Sequence, residues 1–184
     1  MLKLLGELLA LLFKKNVPSS IIVQANPNDV LVHEAQNWVG TKEVGENSGP
    51  EVEMFQRALN SKPNKEAWCA DFVIFCVQQV EKKLGTKSLI YRSENAQELY
   101  KKSPDSIKRS VPSPGNVVIW QFGNGTLGHA GIVEAIAKDG YMTTIEGNTG
   151  EGTGVIREGD GVYRRTRKQQ GNLAMHIIGY IQVF

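Results

Sequence analysis

What this sequence lacks narrows its options before any motif is read. It has only two cysteines and three histidines in 184 residues. That is too little cysteine for a disulfide-stapled scaffold, and too sparse a Cys/His set for a zinc cluster. No metal and no cofactor is expected. Charge of one sign is also missing. The formal net charge is +2, so no global field draws the chain to nucleic acid. No internal repeat marks a solenoid. With 41% hydrophobic residues there is material for a core and no compositional case for disorder. No apolar run is long enough to span a bilayer. The best candidate, "MLKLLGELLALLFKK", is short and broken by Lys3 and Glu7.

That segment is instead amphipathic. At helical spacing Leu2, Leu4, Leu5, Leu8, Leu9, Leu11, Leu12 and Phe13 cover an arc of roughly 200°, with Lys3, Glu7 and Lys14 opposite. Three readings stay open: a helix docked on its own domain or on a second copy, a helix lying on a membrane surface, and a signal peptide cleaved after Val23-Gln24-Ala25. Glu7 before the apolar run and Lys14-Lys15 after it count against the last. "NVPSSIIVQANPND" reads as a linker with a short extended piece at Ile21 to Val23. The chain therefore divides into residues 1–25, an appended helix and linker, and residues 26–184, a single domain.

Within 26–184, helical periodicity comes first. Leu31, Val32, Ala35, Trp38 and Val39 share a face after a cap at Asn28 or Asp29, and Gly40 ends that helix. Val52, Phe55 and Leu59 mark a second helix. Phe72, Val73, Cys76, Val77 and Val80 mark a third, stopped by Gly85. A fourth starts near Ser93 and closes before Pro104. The period then changes. "GNVVIWQF", "HAGIVEAIA", "YMTTIEGN", "GVYRRT" and "MHIIGYIQVF" are short runs of β-branched and aromatic residues between turn residues. Helices followed by strands predict an α+β fold, with N-terminal helices packed on a C-terminal antiparallel sheet of about five strands.

Both cysteines lie in "EAWCADFVIFCVQQVEKK". Seven residues of helix rise about 10 Å, beyond the roughly 4.4–6.8 Å of a disulfide, so Cys69 and Cys76 are not a pair. Cys76 falls among core positions and reads as a small hydrophobe. Cys69 falls in the first turn, where unpaired amides and the helix dipole favour thiolate. A nucleophile needs a base, and the base an orienting group. His33 lies on a polar helix face, and His176 alternates with core positions of the last strand. His129, in "LGHAGIV", opens an apolar strand between glycines. Glu146 and Asn148, two apart in "TTIEGNT", share a strand face from which either could orient an imidazole.

"AWCADFV", "PSPGNVVIW", "GHAGIV" and "IEGNT", in that order, resemble the CHAP domains, cysteine- and histidine-dependent amidohydrolases of the papain-like superfamily. The resemblance runs from about Pro27 to Phe184. It implies a papain-like fold, Cys69 as nucleophile, His129 as base, Glu146 as orienter and Asn148 as a fourth polar member of the site. It also implies bacterial peptidoglycan as substrate, cut at the glycan–peptide amide or within the stem or cross-bridge, and hence action at the cell wall. Some phage members carry an acidic calcium loop before the cysteine. Here that stretch is "NSKPNKEAW", with one carboxylate, and "EVGENSGPE" does not fit an EF-hand and reads as a turn. The basic run Arg164, Arg165, Arg167 and Lys168 reads as a solvated face before it reads as a wall-binding patch. Three other functions stay open: a thiol amidase acting on a non-wall amide, a catalytically silent binding module, and a membrane-active protein working through residues 1–15.

Overall fold

The computed structural model describes residues 25–151 and 159–184. The amphipathic segment of residues 1–15 and the extended piece at 21–23 lie outside the described residues. Among those described, four helices precede six strands. The helices are α1 (Pro27–Gln36), α2 (Pro50–Gln56), α3 (Cys69–Leu84) and α4 (Ala96–Lys101). The strands are β1 (Lys108–Arg109), β2 (Asn116–Phe122), β3 (Gly128–Ile136), β4 (Tyr141–Thr149), β5 (Gly161–Lys168) and β6 (Met175–Gln182). All pairings are antiparallel, in the order β1-β6-β2-β3-β4-β5. The fold is α+β, with helices first and strands second. The count differs by β1, a two-residue edge strand on β6 that is too short to carry a periodic pattern.

Helix caps follow local chemistry. α1 is capped at Asn26, two to three residues earlier than the Asn28 or Asp29 its sequence suggests. The Asn26 side chain accepts from the Asn28 N–H, and Pro27 supplies a first helical residue with no amide to satisfy. Asn95 caps α4 by accepting from the N–H groups of Gln97 and Glu98, while Ser93 accepts from the Asn95 N–H. Gly85 ends α3 at φ 65°, a left-handed conformation that glycine adopts without strain.

The sheet has two buried faces. Val117, Ile119, Ala130, Ile132, Ile145, Val162 and Ile181 meet the helices, chiefly Phe72, Val73, Cys76 and Val80 of α3. Val118, Trp120, Phe122, Val133, Met142, Met175 and Tyr180 form a second cluster on the opposite face. Tyr180 of β6 donates to the Gln169 carbonyl at 2.8 Å, just past β5, although β2, β3 and β4 separate the two strands. The sheet is thus curled, and its inner face is closed by its own side chains. Strand alternation decides the fate of the basic run. Arg164 and Lys168 point outward, and Arg164 pairs with Glu134 at 2.7 Å. Arg165 and Arg167 point inward and are buried. The run is not one solvated face, because a strand's period of two sends alternate residues to opposite sides.

Candidate active site

α3 begins at Cys69 with Trp68 as N-cap and no side chain capping its amides. The first helical bond runs from the Phe72 N–H to the Trp68 carbonyl at 3.0 Å, so the amides of the first turn precede the ladder. Their partial positive charge gathers around the Cys69 sulfur. Trp68 is anchored by an indole N–H donated to Glu43 at 2.7 Å, and Glu43 also accepts from the Asn47 N–H. The "EVGENSGPE" segment is therefore a turn that braces the residue before the thiol. Gly147 lets β4 close on this helix start. A Cβ there would stand 2.7 Å from Trp68 and Phe72 atoms.

His129 is the second residue of β3 and Glu146 lies near the end of antiparallel β4, so both fall at the same end of the sheet, where α3 abuts. His129 Nε2 meets Glu146 Oε2 at 2.9 Å. Cys69 lies near enough to the same imidazole to push its pKa up; with Nε2 engaged by Glu146, Nδ1 is the nitrogen left for the sulfur. All three are buried: Cys69 is 6% exposed, His129 4% and Glu146 0%. Trp120 stacks on the His129 ring at 5.7 Å, fixing its plane. Both cysteines are free. Cys76 is wholly buried in the helix interface, and burial pushes its thiol well above the ordinary range.

The electrostatics follow from these contacts. Burial works against an imidazolium at His129. The charge of Cys69 and the hydrogen bonds that the ring donates to Cys69 and Glu146 outweigh it, and the group is pushed up to about 9. Burial likewise works against the Glu146 carboxylate. Hydrogen bonds from Arg167 and His129, and the charges behind them, hold it well below the usual carboxylate range. Thr144 Oγ1 also donates to Glu146, at 2.5 Å.

Asn148 is placed elsewhere. A bulge interrupts the β4–β5 register between Glu146 and Thr149, and Asn148 adopts φ 52°. Its amide donates to Asn47 Oδ1 and the Gly159 carbonyl, both at 3.2 Å. It ties two loops together and makes no bond to His129. The period-two argument that grouped it with Glu146 fails at the bulge. His33 is exposed, and the half-buried His176 bonds Gln121 at 3.0 Å, away from Cys69. Thr144, Arg167 and Trp120 surround the Glu146–His129 pair without having been singled out from sequence. Arg167 was legible only through strand parity, Thr144 through its place two residues before Glu146, and Trp120 through its strand facing His129.

Gly131 explains how Glu146 reaches the imidazole. A Cβ at this position would stand 2.7 Å from Glu146 Cγ and 3.3 Å from the Trp120 ring. Gly131→Ala should displace a carboxylate that four hydrogen bonds hold in place. We expect turnover to fall about 10- to 100-fold with the fold retained. Steady-state kinetics beside a thermal melt checks this.

A cleft of about 510 Å³ opens beside Cys69, between Asn64–Ala67, Glu94–Ala96 and Thr126–Gly128. The buried Gln97 amide fixes its hairpin wall by donating to the Gly125 and Leu127 carbonyls at 3.0 and 2.9 Å. Two residues after Cys69 on the same helix, Asp71 is 1% exposed. Burial, then the charge of Glu94, pushes it up to about 7. The native state thus holds a proton that the unfolded chain releases near pH 4, so this group lowers stability as pH rises from about 4 to about 7. Asp71→Asn should raise the melting temperature at pH 8 and change it little at pH 4. Melts at the two pH values decide this.

The arrangement is that of a thiol on a helix start facing an imidazole and a carboxylate on a curled antiparallel sheet. Among the described residues, no group of three or more His, Cys, Asp or Glu is disposed to hold a metal ion. The CHAP domain family matches residues 61–148. That span runs from the approach to Cys69 through Glu146 to Asn148, and leaves α1, α2, β5 and β6 outside it. The match supports a CHAP domain over that span, a family of amidases and peptidases that typically hydrolyse peptidoglycan. No curated protein and no solved structure matches the chain.

Proposed function

We propose that this protein is a peptidoglycan hydrolase that cleaves an amide bond by a cysteine mechanism, with Cys69, His129 and Glu146 as its reacting unit. The observation that carries the proposal is the buried contact chain from Cys69 through His129 to Glu146 beside an open cleft. The Cys69 thiolate attacks the amide carbonyl. The Cys69 backbone N–H, at the uncapped helix start, faces the developing oxyanion. His129 Nδ1 gives its proton to the leaving amine, and the thioester that remains is hydrolysed by a water that His129 activates. Glu146 keeps the ring aligned and stabilises its charged form. Residues 26–184 are the catalytic unit in this proposal, and residues 1–25 an appendage upstream of it.

With His129 at about 9, the imidazolium that protonates the leaving amine persists through neutral pH. Turnover should fall as pH rises through about 9, as that proton is lost, and should not fall near pH 6.5 as for an unperturbed histidine. A pH–rate profile on a soluble peptide substrate checks this.

Purified peptidoglycan tests the substrate. The protein should release free amino groups without new reducing sugar ends, because glycoside cleavage normally uses two carboxyl groups flanking the bond, whereas the carboxylate of the proposed reacting unit, Glu146, is turned to an imidazole. Mass spectrometry of the fragments then assigns the bond as glycan–peptide, stem or cross-bridge. Reducing ends without amines would overturn the proposal. An intact wall alongside cleavage of soluble amides would move the substrate outside the wall.

A further inference from the structure

Arg167 is 7% exposed and makes a two-point contact with Glu146, Nε to Oε1 at 2.8 Å and Nη2 to Oε2 at 2.5 Å. The carboxylate's acceptor sites are thus divided: Oε1 between Arg167 and Thr144, Oε2 between Arg167 and His129. The guanidinium also lies 5.7 Å from the Trp120 ring that stacks on His129. Four neighbouring strands, β2 to β5, therefore each place one group on the inner face in a closed set of contacts: Trp120, His129, Glu146 and Arg167.

We infer that Arg167 is a positioning residue for the reaction, holding Glu146 as an aligned carboxylate so that its Oε2 stays directed at His129. The inference rests on the proposed role of Cys69, His129 and Glu146. Without the guanidinium, one bond from Thr144 and one from His129 would hold the carboxylate. A guanidinium fork fixes its plane. Charge matters as much as direction. Glu146 is wholly buried, and burial alone favours its neutral form. A neutral Glu146 would no longer stabilise the imidazolium, and the thiolate that pairs with it would be lost at a higher pH. The charged and titratable groups around this set are His129 from β3, Arg165 beside Arg167 on β5, Cys69 acting from α3 through His129, and Tyr180 of β6 further along the same face. Arg165 feels the charges of both Arg167 and Glu146, yet the fork belongs to Arg167.

The test uses the full chain and four variants: Arg167→Gln, Arg167→Lys, Glu146→Gln and the double variant Glu146→Gln/Arg167→Gln. Two quantities are read. One is the rate of Cys69 alkylation by iodoacetamide across pH. The other is kcat and KM on a soluble amide substrate. Arg167→Gln should move the acid limb of alkylation to higher pH and lower kcat about 10- to 100-fold with little change in KM. Arg167→Lys, which keeps charge without the fork, should return the limb towards wild type and recover only part of kcat. In the Glu146→Gln background, removing Arg167 should change neither quantity further, because Arg167 acts through Glu146. A folded Arg167→Gln protein with the wild-type limb and kcat would overturn the inference, as would a double variant much slower than Glu146→Gln alone. Should Arg167→Gln fail to fold, Arg167→Lys and the double variant, which removes both buried charges, carry the same decision. Alkylation needs no substrate, so its outcome stands apart from the wall assignment. A wild-type protein whose Cys69 is alkylated like an ordinary thiol, with its acid limb at about pH 8.5, would contradict the thiol–imidazole pair itself.

Discussion

Cys69→Ala is expected to abolish amide hydrolysis, whereas Cys76→Ala keeps it. The two thiols share one helix but differ in every property that makes sulfur a nucleophile. Cys69 stands at the uncapped start of α3 beside a cleft and acts on the His129 imidazole. Cys76 is wholly buried, with its thiol pushed up so that it stays protonated. Alanine at 69 removes the attacking atom. Alanine at 76 removes one buried sulfur at a cost of about 1–2 kcal/mol, so the protein melts earlier but still turns over. Activity assays beside thermal melts separate the two. Retained turnover in Cys69→Ala would remove the thiol from the mechanism.

The second large effect is at Glu146. Glu146→Gln should cost both activity and stability, and Asn148→Ala should cost little activity. The carboxylate is fully buried and answers His129, Arg167 and Thr144 at once. The amide has the same shape, but it brings two N–H donors where four donors from three residues already converge, and it carries no charge to stabilise imidazolium. It also removes the charge that the buried Arg167 fork faces, and losing one member of a buried pair costs about 3–5 kcal/mol. Asn148 bonds Asn47 and Gly159 instead, so its alanine variant loosens two loops and leaves the imidazole in place. Parallel kcat measurements and denaturant melts test this contrast. An Asn148→Ala defect as deep as that of Glu146→Gln would show that the bulge, not the carboxylate, governs His129.

How much of this was legible in the sequence follows from which signals are local. Helical periodicity and Gly85 located α3, and its start then separated Cys69 from Cys76 before any coordinates. The switch to period two located the sheet and put Glu146 within reach of His129. What failed depended on irregular backbone or on distant strands. Asn148 obeys strand alternation on paper, but the bulge and its positive φ turn it towards Asn47. Arg165 and Arg167 look like part of a basic surface run because nothing in "GVYRRTRK" announces a buried anion. That anion lies on the neighbouring strand, 21 residues away in sequence. From the sequence Gly131 is only one of the glycines around His129; its tighter role is to make room for the Glu146 side chain. β1 was missed because two residues carry no period.

The most direct measurement is a titration with iodoacetamide in which residual hydrolysis and the labelled cysteine are followed in the same samples. Peptide mass spectrometry maps the label. Activity should fall in proportion to modification of Cys69, reaching zero at one label per chain while Cys76 stays unmodified. Full activity in protein whose Cys69 is completely alkylated, or loss that tracks Cys76, would contradict the assignment of Cys69 as the nucleophile.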